Sequence, residues 1–232
     1  MYSHGRACSV TRHRRWLIGS AVAATAVYAL LWIGYVQQWR WLTALDTALL
    51  DGFYHYGEAH PGWVLGWHVF CTVLGPMAFR VVTLVVIVVA LLRRNMRIAM
   101  FLLITVELSG LVTEAAKQAA DRPRPDTALV RALSASFPSG HALGVMVAVL
   151  ALLTVVLPLV RRPLRGWLVI LGVVIVVLIG LGRVVLNVHH PSDVLAGWAL
   201  GYAYFAVCLA LVSPTRPITQ PDEIPEAPGI SR

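Results

Sequence analysis

The chain has 232 residues, of which 58% are hydrophobic and only 13% charged, with a formal charge of +8. Several uncharged apolar runs approach the roughly 20 residues that cross a bilayer, which excludes an ordinary soluble domain and predicts an all-α, polytopic membrane protein. The cations fall in short clusters between those runs, so they read as orientation signals and not as a surface for nucleic acid.

Neither an internal repeat nor a second soluble domain is visible, and the length suits one helical bundle with short loops, its oligomeric state open. Residues 1–15 form a basic tail carrying Arg6, Arg12, Arg14 and Arg15, expected on the cytoplasmic side. The apolar run 16–36 is longer than a signal-peptide core and reads as a retained signal anchor and first span. Residues 37–62 are rich in Trp, Tyr and His, with Leu42, Leu45, Leu49 and Leu50 spaced as one face of a short interfacial helix. His55, His60 and His68 lack the helical spacing and acidic partner of a metal site, so they too read as interfacial.

Residues 63–92 would span about 45 Å as one helix, too long for an upright crossing. Gly75-Pro76 supplies the break, which leaves Pro76–Leu92 as the crossing piece, and Arg93, Arg94 and Arg97 mark the turn that follows. The third span, 98–119, contains Glu107 and Glu114 and ends with Lys117, the only lysine of the chain. Arg80 and Glu107 fall at similar depth, which predicts a structural ion pair, Glu114 steering Lys117. In the competing arrangement Arg80 turns toward the site with Glu114. A polar loop, 120–137, leads to the fourth span, 138–160; Arg161, Arg162 and Arg165 make another basic turn before the fifth span, 167–186, and the sixth, 194–212. The proline-rich residues 213–232 read as a flexible cytoplasmic tail. Cys8, Cys71 and Cys208 have neither metal spacing nor an obvious disulfide partner and read as free thiols.

Six spans put both termini and both arginine turns on one side, the cytoplasm by the positive-inside rule, in a plasma (inner) membrane protein. The stretches around Lys117, His141 and His189 then meet at the extracytoplasmic face. Arg183-Val-Val-Leu-Asn-Val-His189-His190-Pro-Ser-Asp193 joins two apolar runs, yet carries ions where a membrane penalises them. A histidine can attack phosphorus if a carboxylate holds its other ring nitrogen, and His189 with Asp193 has those types. Arg183 could neutralise phosphoryl oxygens with its planar donors; the alternative is a polar loop at the water boundary. Ser139 and Gly140 begin a helix, where free N–H groups favour an anion, and His141 in its first turn could protonate a leaving group. Lys117, beside Arg122 and Arg124, is either a phosphate ligand or a snorkelling cation.

Lys117, six intervening residues and Arg124-Pro125; then Pro138-Ser139-Gly140-His141; then Arg183, five residues, His189, three residues and Asp193: this ordered set resembles the tripartite signature of the type 2 phosphatidic acid phosphatase and vanadium haloperoxidase superfamily. The resemblance runs over about residues 63–212 and implies that family's six-helix membrane fold, with the signature in 117–193. It implies His189 as nucleophile forming a phosphohistidine, Asp193 as its orienting partner and His141 as leaving-group acid, with Lys117, Arg124, Ser139, Gly140 and Arg183 holding the phosphate. His190 falls outside the motif spacing, and Gly182 stands where the family usually has serine. The implied reaction is hydrolysis of a membrane lipid phosphate or diphosphate without a metal or other cofactor. A lipid phosphotransferase is the alternative acceptor chemistry, and a transporter or scaffold that kept the fold is the non-enzymatic one.

Overall fold

The protein was analysed as a computed structural model that describes residues 4–214, with side chains from residue 15 onward. The expectations for the side chains of Arg6, Cys8, Arg12 and Arg14, and for the tail beyond residue 214, lie outside the described residues. Helix α1, His4–Val36, runs through the first apolar stretch and continues into the basic residues ahead of it, so the backbone there is helical and not a separate coil.

Helix α2, Arg40–Ala59, follows, and its buried face differs from the leucine stripe read from the sequence. Leu42, Asp46, Leu50 and Gly57 are buried, whereas Leu45 and Leu49 are 44% and 42% exposed. The face is set by a spacing of four residues and by the hydrogen bonds of a buried acid, which outweigh two leucine side chains left on the outer surface.

The long second apolar stretch is broken where expected. Helix α3, Pro61–Val73, ends at Leu74, Gly75 is extended, and Pro76 opens α4, Pro76–Leu92. Proline at the first helical position loses no intrahelical bond, because its N–H would have had no partner there. Helix α5, Met96–Leu102, passes through one π-helical turn, Leu103–Glu107, into α6, Ser109–Ala120. The π turn misaligns the carbonyl ladder, and the hydroxyl of Tyr204 donates to the oxygen of Ile104 across the gap, at 2.5 Å.

Helix α7, Gly140–Val156, is the central post; α8, Arg162–Val185, and α9, Pro191–Leu211, complete the bundle, which has no strand among the described residues. Six helical stretches are long and apolar enough to cross a membrane: Arg15–Val36, Pro61–Leu92, Met96–Ala120, Gly140–Leu159, Arg162–Val185 and Pro191–Leu211.

Helix α7 packs against α4, α8 and α9, while α1 lies along the outer side of α9. Small residues permit the closest of these approaches: a Cβ on Gly197 of α9 would come within 2.6 Å of the carbonyl oxygen of Ser139. Phe101, Leu102, Leu143 and Val147 form the core on one side of α7, and Val145, Ile179, Leu186 and Val188 form it on the other. The end of α6, the start of α7, the end of α8 and the start of α9 consequently meet at one end of the bundle, opposite the arginine turns.

Candidate active site

Four helix ends deliver the polar side chains. Lys117 occupies the last turn of α6, Ser139 caps α7, Arg183 lies in the last turn of α8 and Asp193 in the first turn of α9. Lys117, Ser139, Arg183, His189 and Asp193 are all less than a tenth exposed. The backbone carbonyl of Asp193 accepts from Ser139 N–H at 2.9 Å, which pins the start of α7 to the start of α9.

At that start, Ser139 Oγ accepts from the amide of Ala142 and Ser139 O from that of Leu143, leaving the N–H groups of Gly140 and His141 as free donors among the described residues. Their dipole end faces the cationic cluster, so an anion there meets donors and positive charge together. His141 is within electrostatic range of His189, Lys117, Arg124 and Arg183, so the structure brings all three signature stretches into one site.

His189 is 1% exposed, and its two ring nitrogens face different surroundings. Nε2 is 3.3 Å from Arg124 Nη1, whereas Nδ1 is 3.5 Å from Ser136 Oγ and 3.6 Å from Asp193 Oδ2. A contact of 3.6 Å is longer than a formed hydrogen bond, so a small closure is needed to seat Nδ1–H on the carboxylate. Burial, reinforced by Arg183 and Arg124 and opposed by Asp193, holds the His189 pKa down at about 4, which keeps the ring neutral near pH 7.

Asp193 Oδ2 is shared. It accepts from Ser136 Oγ at 2.5 Å and from His190 N–H at 2.8 Å, and His190 Nδ1 lies 3.2 Å away. His190 therefore stands nearer this carboxylate than His189 does, but it is the N-cap of α9, which the backbone and side chain of Asp193 complete as a capping box. His189 is the histidine turned to Arg124.

Arg124 is a clamp. Its Nη1 donates to Val188 O at 2.7 Å and its Nε to Ser134 O at 2.7 Å, while Lys117 Nζ donates to Ser134 Oγ at 2.5 Å. Lys117 is thus held by a serine hydroxyl, while Glu114, which is exposed, acts on it through space and not by contact. Arg183 Nε is buried with no acceptor among the described residues. An orphaned guanidinium donor in a cationic pocket is costly unless an anion completes it.

Sequence reasoning missed the layer behind Asp193. Arg122 Nη1 donates to Asp193 Oδ1 and to Ser192 Oγ, both at 2.7 Å, and Nη2 donates to Asp46 Oδ2 at 2.9 Å. Asp46 also accepts from Ser192 N–H at 2.9 Å and from Ser192 Oγ at 2.6 Å, and Arg122 lies 4.7 Å over the ring of Tyr35. The only sequence sign was an aspartate at the centre of an otherwise leucine-lined helical face.

The expected Arg80 to Glu107 pair is not in direct contact, since among the described residues no carboxylate lies within salt-bridge distance of Arg80, although the two charges are within electrostatic range of each other. The guanidinium instead packs on Gly110, and one oxygen of Glu107 is buried without a partner.

A helical membrane-type bundle with a buried cationic cluster at four helix ends defines the class. The family model of the PAP2 superfamily matches residues 98–217, more than half of the chain, and the chain belongs to that superfamily. It is 39% identical over 99 residues to phosphatidylglycerophosphatase B of Bacillus subtilis, covering 41% of this chain and 48% of that protein. It is 38% identical over 87 residues to undecaprenyl-diphosphatase of Sulfolobus acidocaldarius, covering 37% and 38%. Against lipid A 1-phosphatase of Rhizobium johnstonii the identity is 35% over 128 residues, covering 50% and 48%. The chain thus spans about half or less of the length of these curated relatives. The crystal structure of a transmembrane PAP2 type phosphatidylglycerolphosphate phosphatase from Bacillus subtilis shares the fold, with a TM-score of 0.72 at 21% identity over 83% of this chain and 95% of that one.

Proposed function

We propose that this protein is a membrane lipid-phosphate phosphatase that works without a metal through a phosphohistidine. The observation that carries the reading is the divided environment of His189, with Nε2 turned to a buried cationic cluster and Nδ1 turned to Asp193. The names of the relatives, which include a phosphatidylglycerophosphatase, an undecaprenyl-diphosphatase and a lipid A 1-phosphatase, support a lipid phosphate or diphosphate as substrate.

In the first step the Nε2 lone pair attacks phosphorus, the phosphorus–oxygen bond to the leaving group breaks, and protonated His141 gives its proton to the departing oxygen. Lys117, Arg124, Arg183 and the amides of Gly140 and His141 neutralise the equatorial oxygens, with Ser139 setting the cap that exposes those amides. Asp193 accepts from Nδ1–H and stabilises the imidazolium character of the intermediate. In the second step water attacks phosphorus, neutral His141 takes its proton, and the phosphorus–nitrogen bond breaks to free inorganic phosphate.

The arginine turns at 93–97 and 161–165 support a cytoplasmic location for both termini and for the tails, with the six-helix domain, 16–212, between them and the site at the extracytoplasmic face of the inner membrane.

The test is phosphate release by purified protein from phosphatidic acid, phosphatidylglycerophosphate and a polyprenyl diphosphate. Turnover should survive EDTA and fall with vanadate, which mimics five-coordinate phosphorus. His189→Ala should abolish it, His141→Ala should lower it on the order of 10²- to 10⁴-fold, and His190→Ala should keep most of it. Retention in His189→Ala with loss in His190→Ala would reassign the nucleophile; loss with EDTA restored by magnesium would overturn the metal-free reaction.

A further inference from the structure

Arg80, Glu107 and Glu114 are ionisable residues on membrane-crossing elements outside the three signature stretches, and such residues are expensive to keep there unless paired or used. None of them makes a contact ion pair among the described residues. All three line one cavity of about 610 Å³, whose wall also includes Thr113, Gly140 and His141. That volume lies within the range of ligand pockets, and the cavity borders the phosphate site, since Gly140 and His141 belong to both.

We propose, resting on the phosphatase reading above, that Arg80 is an anion subsite for the leaving group. This chain then favours substrates in which a second phosphate adjoins the scissile bond. In-line displacement puts the leaving oxygen opposite the nucleophile, beside the acid that protonates it. Atoms attached to that oxygen extend into the space that begins at His141, which is this cavity. Besides His141, the proton donor, its cationic side chain is Arg80, whose guanidinium is held against Gly110: a Cβ there would collide with Arg80 Nη2.

The two glutamates limit what fits. They line the cavity from the π turn and α6, opposite Arg80 on α4, so each further negative charge on a leaving group meets more repulsion there than a single phosphate does. Glu107, with a buried oxygen lacking a partner, can accept from a hydroxyl or water carried in with the substrate. A diacylglycerol leaving group offers nothing anionic for Arg80 to bind; the phosphatidyl leaving group of a diphosphate does.

The experiment uses a matched pair of lipids with the same acyl chains, diacylglycerol diphosphate and phosphatidic acid, in detergent mixed micelles, and compares initial phosphate release by the wild type, Arg80→Gln and Arg80→Lys. Loss of a charge-assisted contact predicts that Arg80→Gln lowers kcat/KM for the diphosphate by about tenfold or more, with a change of less than about twofold for phosphatidic acid, and that Arg80→Lys falls between. Gly110→Ala displaces the guanidinium without removing its charge and should lower the same selectivity, which covers the case in which Arg80→Gln does not fold. Equal loss on both lipids, or no loss on either, overturns the subsite and leaves the phosphatase reading standing. No release from either lipid by the wild type sinks that reading, and this one with it.

Discussion

Asp46 shares Arg122 with Asp193, and the sharing governs how strongly the second carboxylate can hold His189. With both acids present, the guanidinium divides its donors between them. Asp46→Asn keeps the shape but surrenders a charge, so Arg122 should settle more fully on Asp193 and weaken it as the acceptor for Nδ1–H. The expected outcome is a fall in kcat with KM little changed and an acid limb of the pH profile displaced from that of the wild type. Glu at this position should rescue less than the native residue, because its longer side chain must fit a 2% exposed site. An unchanged kcat and profile with only a lower Tm would mark Asp46 as structural. His189 itself gives a signed pH prediction. Its pKa in the fold, about 4, is below the ordinary 6.5, so the stabilisation it supplies is complete above 6.5 and drains away as pH falls toward 4. His189→Gln should therefore lose less Tm than the wild type over that interval. Lys117, Arg124, His141 and Asp193 were legible in the sequence because their spacing runs along the chain. Asp46 was not, because its partner Ser192 is 146 positions away and nothing local records the pairing.

Helix α8 meets α3 tightly at Gly182. A Cβ there would lie 2.5 Å from Cys71 Sγ and 2.8 Å from a ring carbon of Trp67, so the glycine in place of the family's usual serine matches a neighbour that fills the space. Gly182→Ser should destabilise the fold by about 1–3 kcal/mol through overpacking, with part of the loss recovered in Gly182→Ser with Cys71→Ala. Thermal melts of the single and double variants decide this: simple additivity would show that the clash lies elsewhere. The π turn makes a parallel case. Tyr204→Phe strands the carbonyl of Ile104 and should cost about 1–3 kcal/mol. The Gly75-Pro76 break was readable because excess length and proline chemistry agree on it. The π turn was not, since a shifted hydrogen-bond register leaves no mark in residue type.

Across the bundle, the arginine turns lie at one end and the four helix ends bearing the proposed phosphate ligands at the other: the even-to-odd connections between spans are the tight basic turns, and the odd-to-even ones carry α2 and the two site loops. Single cysteines introduced at Asn95 and Leu164 in a background lacking Cys8, Cys71 and Cys208 should react with a membrane-impermeant maleimide only after the membrane is opened, and one at Asp126 should react in intact cells. Labelling in the reverse order would invert the topology proposed here. The six spans were legible because hydropathy and length are properties of contiguous sequence. Which faces of those spans meet was not, because close packing in a membrane depends on small residues such as Gly197 opposing a backbone carbonyl, and glycine alone does not say what it opposes.

Helix α2 is not among the six helices long and apolar enough to cross a membrane, yet its Asp46 reaches into the same bonded group as the carboxylate behind His189, while Trp41, Leu45 and Leu49 remain exposed on its outer surface. The end that holds the proposed site is therefore fastened by a clasp whose outer side depends on the surrounding amphiphile. A short-chain detergent that fails to support those three side chains should release the clasp first, so turnover should vanish at concentrations where circular dichroism still reports intact helices. Returning the protein to bilayers should bring the rate back without refolding.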